Sequence, residues 1–340
     1  MILPRARFPL WLLGAVALLF IVALWSFSVG KFPVSAADVW RALWAALTGG
    51  DSGLTSNAEA VVLRVRAPRV MGALAVGAAL AAAGAAYQNL FKNPLVSPDI
   101  LGVAAGCALG AGLAILLSLP IAAIHASAFA GGLIAVALVV VIGTWVGGRD
   151  PILTLILTGV VVGSLFGAGI ALVKYLSDPY NQLPAIVFWL LGSFTGVLPK
   201  DLAIGLPLIA VGVLVLWLLR WRIDVLALSE DEARSLGVDV AMLRVVVIVT
   251  ATLVTASAVA LAGTIGWVGL IVPHAARLLV GASFPRVLSL SIVLGAGFML
   301  AVDTICRTAF ATEVPPGVAT AFVGTPVFIA LLALTFRRSA

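Results

Sequence analysis

The chain has 340 residues, of which 63% are hydrophobic and only 10% charged, with a formal net charge of +6 and a mean hydropathy of +1.21. A soluble domain carries about 25% charged residues, so a water-soluble enzyme and a nucleic-acid partner are both excluded and a polytopic, all-α integral membrane protein is indicated. A hydrocarbon core about 30 Å thick needs about 20 apolar residues per helix, because only a helix pairs its own backbone in lipid. The chain therefore has room for about ten spans and little else, and reads as one transmembrane domain over 1–340.

In chain order, the hydropathy pattern predicts spans at 10–29, 68–90, 100–119, 121–146, 151–175, 201–221, 244–262, 265–281, 287–309 and 316–336. The first follows Arg5 and Arg7 as a secretory signal would, but its apolar run is longer than a signal core, and it is kept as a membrane helix. Between spans one and two, 35–47 reads SAADVWRALWAAL, with Ser35 as N-cap and Val39, Leu43, Ala46 and Leu47 on one face, which suits an interfacial helix. The segment 184–194 is apolar but too short to span and reads as a short helix on the outer side, or a re-entrant one, between spans five and six.

Ten spans put both termini on one side of the membrane. With that side cytoplasmic, twelve basic residues lie inside: Arg5, Arg7, Lys92, Arg149, Arg220, Arg222, Arg234, Arg244, Arg277, Arg286, Arg337 and Arg338. Eight lie outside: Lys31, Arg41, Arg64, Arg66, Arg69, Lys174, Lys200 and Arg307. The bias follows the positive-inside rule, against which the cluster Arg64, Arg66 and Arg69 stands out.

Between spans six and seven, Arg220 to Arg244 gathers nine charges in 25 residues. Glu230, Asp231, Glu232 and Arg234 suit a solvated loop. They also suit short amphipathic helices that present Leu228, Ala233, Leu236 and Val238 to a soluble partner, with Gly237 as the left-handed break between them. An internal echo is visible as well. Ala83-Gly84 is followed by Pro94 and Ala262-Gly263 by Pro273, the pattern of two copies in opposite orientation, although Ala and Gly are abundant enough here for chance to produce it.

No phosphate-binding G-x-x-x-x-G-K-[ST] loop is present, so the chain has no ATP cradle of its own. Cys107 and Cys306 fall in spans as buried thiols, and His125 and His274 lack neighbours at metal-ligand spacing. Neither a metal site nor a bound cofactor is expected, nor is intrinsic enzymatic activity.

Several long motifs occur in one order. Arg66-Ala-Pro-Arg69 opens span two and runs into GALAVGAALAAAGAAYQNLFKNPLVSPDILGV. GTIGWVGLIVPHAARLLVG follows at 263–281, then Asp303 with Arg307, EVPPG at 313–317 and GTPVF at 324–328. From about residue 30 to 336 the chain resembles the FecCD-type permeases, the membrane subunits of type II ABC importers for iron-siderophores, haem and vitamin B12.

The resemblance implies a ten-helix, inverted-repeat subunit of the bacterial inner membrane that pairs with a second permease, in a homodimer or a pseudo-symmetric heterodimer. Two cytoplasmic subunits would hold ATP and Mg, and a periplasmic or lipid-anchored binding protein would deliver the cargo. It places coupling helices at about 222–243, with Leu228, Ser229, Glu230, Asp231, Glu232, Ala233, Leu236 and Gly237 facing the ATPase. Arg66, Arg69 and Arg307 would meet acidic residues of the binding protein; lipid headgroup contact, or an Asp303–Arg307 pair within one helix, is the structural alternative. Asn93, Pro94 and Leu95 would form the cytoplasmic gate or a plain turn, and Thr158, Ser164 and Phe166 would line the path. A ferric siderophore or related iron chelate is the favoured cargo, with haem close behind, then cobalamin and an oxyanion such as molybdate. An ion-coupled secondary transporter is the rival of another class, with Asp303 as its one acidic candidate; a channel or purely structural subunit is the second.

Overall fold

The structure, a computed structural model, describes residues 7–30, 32–148 and 150–339, with side-chain surroundings up to 331 and at 333. Of the basic residues used for orientation, Arg5, Lys31 and Arg149 lie outside the described residues, as do the side chains of Arg337 and Arg338.

Helix α1 (Phe8–Ser28) is followed by α2 (Ala36–Thr48) and α3 (Ser56–Ala60), which continues through a π-helical turn, Val61–Arg66, into α4 (Ala67–Leu90). A turn and a single 3₁₀ turn, Pro98–Leu101, lead to α5 (Val103–Leu116), α6 (Ile121–Val146), α7 (Pro151–Leu176) and the short α8 (Gln182–Leu191). Then come α9 (Pro199–Leu218), the small helices α10 (Arg220–Val225) and α11 (Glu230–Ser235), α12 (Val240–Ala262), α13 (Val268–Val280), α14 (Phe284–Thr308) and α15 (Pro316–Ser339).

Among the described residues seven helices are long and apolar enough to cross a membrane: α1, the continuous α3–α4, α6, α7, α9, α12 and α14. Helices α4 and α12 are buried nearly all round, whereas α1 buries only Ala15 and Ser26. Lipid tails are as apolar as leucine, so helices here associate by close packing, and small residues decide who sits at the centre. A Cβ on Gly77 of α4 would strike the backbone of Gly295 in α14, and one on Gly106 of α5 the backbone of Gly131 in α6. The Ala- and Gly-rich α4 is therefore the axis of the bundle.

The expected spans at 100–119 and 265–281 are not full-length helices. Helix α5 has 14 residues and α13 has 13, about 20 Å each at 1.5 Å per residue, well short of the core thickness. Each is preceded by non-helical backbone that enters the bundle. Gly102, at φ +74°, lies against Gly163 in the middle of α7, and Gly269 lies against Gly84, far along α4. Pro98 before α5, and positive φ at Gly263 and Trp267 before α13, explain the breaks. Irregular backbone at this depth is tolerated because protein surrounds it.

The helix–break–half-helix unit thus occurs twice in opposite directions, as α4–α5 and as α12–α13. The residues of the echo do not occupy matching places in it: Gly84 is pressed inside α4 while Gly263 ends α12, and Pro94 stands in a turn while Pro273 is within α13.

Helix α2 is capped by Ser35, whose hydroxyl accepts the Asp38 N–H at 3.1 Å. Its buried face is Val39, Ala42 and Ala45, and Leu47 points outward at 83% exposure, so the face expected for it is rotated. The small residues let α2 lie close to Val62 and Phe27, leaving the stacked pair Trp40 and Trp44 exposed, as at a membrane–water boundary.

Candidate functional site

Helix α4 carries charge-bearing clusters at both of its ends, and the segments between them meet at mid-depth. At its N-terminal end the structure gathers Arg66, Arg69 and Arg307, the three arginines expected to dock a partner, but does not present them as a free basic surface. Arg66 is 4% exposed and donates to the carbonyls of Phe27 and Phe32 at 2.5 Å each. Arg307 donates to Val29 O at 2.8 Å, to Ser26 Oγ at 3.0 Å and to Ser26 O. Two guanidiniums from other helices thereby satisfy the carbonyls around the C-terminus of α1, which a helix leaves without internal partners.

Arg69 grips Asp303 of α14 bidentately, Nε to Oδ2 at 3.0 Å and Nη2 to Oδ1 at 2.8 Å, and its Nη2 also meets Glu313 in the α14–α15 loop. Thr195 donates to the same Glu313 carboxylate at 2.8 Å. Burial pushes the Glu313 carboxyl up, but the Arg69 hydrogen bond and charge outweigh it and hold the group below the usual carboxylate range. Arg307 stands 3.8 Å from Asp303, the intrahelical pair anticipated from their spacing. Side-chain exposure of 11% for Arg69 and 10% for Arg307 leaves little guanidinium for an outside partner. Sequence spacing offered only the Asp303–Arg307 pair; the partners of Arg69 were out of its reach because Asp303 and Glu313 are 234 and 244 residues from it.

The charged island at the other end behaves differently. Ser229 caps α11 and Glu232 reaches back to the Ser229 N–H at 2.9 Å, a reciprocal capping box. The Ser229 backbone N–H, then its hydroxyl, hold the Glu232 carboxyl below its ordinary range. Ala233 is buried and anchors the helix, while Leu228 and Leu236 are exposed at 42% and 61%. Glu230 and Asp231 are exposed as well, and Gly237 takes φ +76° as a left-handed break requires.

This end is wired into the bundle by residues the sequence reading passed over. Asn89 donates to Ile223 O at 2.6 Å, Lys92 to Leu228 O at 2.5 Å, and Asp224 accepts the Phe284 N–H at 2.7 Å at the start of α14. Asn93 Oδ1 accepts the Leu95 N–H at 2.9 Å, closing the Asn93-Pro94-Leu95 turn directly beside Lys92. One turn earlier, the buried Gln88 donates to Val96 O at 3.3 Å and to Leu270 O at 3.1 Å, tying together the backbone segments that precede and begin the half-helices. Asp99, another group missed, accepts the Ala104 N–H at 2.8 Å at the start of α5.

The three residues expected along a path do not share a face of α7. Thr158 and Phe166 turn into the chain's own core at 7% and 9% exposure, and Ser164 is exposed with its hydroxyl on Val160 O at 2.8 Å. At 3.6 residues per turn Thr158 and Phe166 are about 80° apart around the helix, whereas Ser164 is about 120° from the one and about 160° from the other, on the opposite side.

Comparison with known proteins gives one consistent picture. The FecCD transport family matches residues 18–334. The molybdate import system permease protein MolB of Haemophilus influenzae is 39% identical over 322 residues, covering 94% of each chain. The cobalamin import system permease protein BtuC of Halobacterium salinarum is 40% identical over 88% of this chain and 80% of its own. Among solved structures, a chain of an inward-facing transporter described as of metal-chelate ABC type superposes with a TM-score of 0.83 at 36% identity, over 96% of this chain and 99% of that one.

Proposed function

The chain belongs to the FecCD transport family and is an ABC-transporter permease, and on that premise we propose that it imports an iron chelate, a ferric siderophore or haem, across the bacterial inner membrane. In this reading α5, α13 and α15 complete a ten-span, inverted-repeat type II permease, both termini are cytoplasmic, and two copies pair around a central path. ATP and Mg belong to two separate cytoplasmic subunits, and a substrate-binding protein delivers cargo from outside. Cobalamin or a molybdate-type oxyanion is the alternative cargo, because those are the names the relatives carry.

The observation that carries the reading is the wiring of the island. Leu228 to Gly237 forms a capped, exposed contact surface for the ATPase; Lys92 holds its first carbonyl, Leu228 O, and Asn89 holds Ile223 O of the preceding α10, both beside the Asn93-Pro94-Leu95 gate. Movement of α11 is transmitted to that gate, and through Gln88 to the start of α13, so both re-entrant segments shift together. At the outer end Arg66, Arg69 and Arg307 act as a frame that holds α1, α4 and α14 in place for the binding protein, with Ser164 on the open side of α7 facing the path. A secondary transporter would need a free ionisable group at mid-depth, and Asp303 is instead held by Arg69.

The test reconstitutes the complex in proteoliposomes and follows ATP hydrolysis and uptake with a ferric siderophore, haem, cobalamin and molybdate. An iron chelate is expected to stimulate both most strongly. Strongest stimulation by molybdate would overturn the cargo, and concentrative uptake by the chain alone under a proton or sodium gradient would overturn the class. Glu232→Lys with Gly237→Pro is expected to abolish transport while the helices still insert; unchanged uptake would remove the coupling role. For docking, Arg66→Glu, Arg69→Glu and Arg307→Glu are each expected to lower the melting temperature along with binding-protein affinity, whereas a pure docking surface would lose affinity alone.

A further inference from the structure

Residues of α6, α7 and α12 toward the island end line an open cleft of about 700 Å³. That volume is within the roughly 300–1,000 Å³ typical of small-ligand sites. Its walls are aliphatic, among them Val136, Val140, Leu155 and Ile248, and Arg244 is its one charged lining residue among those described. Val141, Val245 and Val249 at its rim are 55–63% exposed, so the cleft opens onto the apolar flank of the helices. Arg244 is in the second turn of α12, where the membrane interior gives way to the charged island.

We propose that this cleft is a binding site for an anionic phospholipid, with an acyl chain in the aliphatic slot and the headgroup phosphate on Arg244. An apolar groove of this volume with a single charged lining residue, Arg244, matches one lipid tail joined to an anionic headgroup in polarity and charge. Anionic lipids enrich the cytoplasmic leaflet and attract basic residues at this depth. The arginine is also able to change partners. Its Nη2 donates to Glu230 Oε1 at 2.6 Å, but Glu230 is 45% exposed and has Arg234 at 3.5 Å, so a phosphate that takes Arg244 leaves no buried charge unpaired. Because Glu230 opens α11, lipid binding releases one tether of that helix. This consequence rests on the coupling role proposed above; the binding site itself rests only on the proposed orientation, which sets the leaflet.

The test uses the full-length chain in nanodiscs of phosphatidylcholine with or without phosphatidylglycerol, and native mass spectrometry of the lipid it retains. Wild type is expected to retain phosphatidylglycerol at least tenfold over phosphatidylcholine. Arg244→Gln should bring that ratio to about one, and Ala137→Trp, which fills the slot from its wall, should reduce retention of both lipids. Glu230→Gln frees Arg244 and should raise phosphatidylglycerol retention, an effect that a merely structural arginine would not show. Retention by Arg244→Gln with unchanged selectivity, or by Ala137→Trp at the wild-type level, would overturn the proposal. So would efficient disulfide capture of an Ala137→Cys chain by a second copy, which would show the cleft to be covered by protein. Loss of ATP coupling with lipid selectivity intact would count against the α11 reading alone.

Discussion

The two ends of α4 use charge in opposite ways. At the arginine end the guanidiniums of Arg66, Arg69 and Arg307 are covered and spent on carbonyls, Asp303 and Glu313. At the island end Glu230, Asp231 and Glu232 stand in solvent on a six-residue helix held mainly by backbone caps and by hydrogen bonds to its loop. Buried ions cost desolvation energy and persist only when fully paired, so the first cluster fixes geometry. Exposed ions contribute little to stability and stay available, which is what the coupling surface proposed for the second cluster requires. A basic motif at a membrane boundary is therefore not by itself a docking site; what decides is whether the acids that answer it are on the same chain.

The sharpest way to break this comparison is to orphan a buried charge. Asp303→Ala leaves Arg69 without its bidentate partner and should destabilise the chain by about 3–5 kcal/mol, the range for breaking a buried pair. The double change Arg69→Met with Asp303→Leu should recover most of that loss. Thermal unfolding of the detergent-purified chain measures both, and a single change as mild as the double one would mean that the arginine end is as solvated as the island.

Next in size is the crossing that links the two ends. Gly269 presses on Pro98 and on the backbone of Leu80, so Gly269→Val forces the helices apart and should cost about 1–3 kcal/mol by overpacking. The same change should slow transport more than it lowers the melting temperature, because it separates the segments that Gln88 ties together. Equal effects on folding and transport would show that this crossing only packs.

At the island a smaller effect is expected, of another kind. Ser229→Ala removes the side-chain cap of α11 and should cost about 1 kcal/mol locally. Helix α11 is an appendage, so the global melting temperature should scarcely move. Hydrogen exchange at Glu232 and Ala233 should rise, and ATP-driven uptake should fall. Loss of global stability would place α11 in the core and remove the contrast between the ends.

How far these ends could be read in advance follows from the range of the interactions involved. The island was legible because its signals are local: Ser229 and Glu232 are three residues apart, and Gly237 marks a break within one turn of them. The 3.6-residue and 20-residue patterns likewise gave the long helices and the existence of the short α2 and α8, though not the buried face of α2. The half-helices were misjudged because α5 and α13 are as apolar as full spans; what shortens them is backbone conformation at Gly102, Gly263 and Trp267. The partners of Arg69 at the arginine end were not legible because these pairings run across more than 200 residues, which no local pattern encodes. Thr158, Ser164 and Phe166 came from the resemblance alone; α7 is apolar on every side, so periodicity could not tell the core face that takes Thr158 and Phe166 from the open face that takes Ser164.

The smallest expected effect concerns pH at the arginine end. Glu313 has its folded-state carboxyl held below the ordinary value of about 4.3 by Arg69, against the opposing effect of burial. For a group shifted down on folding, the stabilisation is fully present above the unfolded value and is lost as pH falls through the folded one. The Arg69–Glu313 contact should thus contribute fully at neutral pH and fade below about pH 4. Arg69 also has its bidentate contact with Asp303, so the part of the change that belongs to Glu313 should be modest. Melting temperatures of wild type and Glu313→Gln, measured from neutral to acidic pH, should differ at neutral pH and converge on acidification. A difference that stayed constant across that range would mean that Glu313 acts through its shape and hydrogen bonding to Thr195, not through its charge.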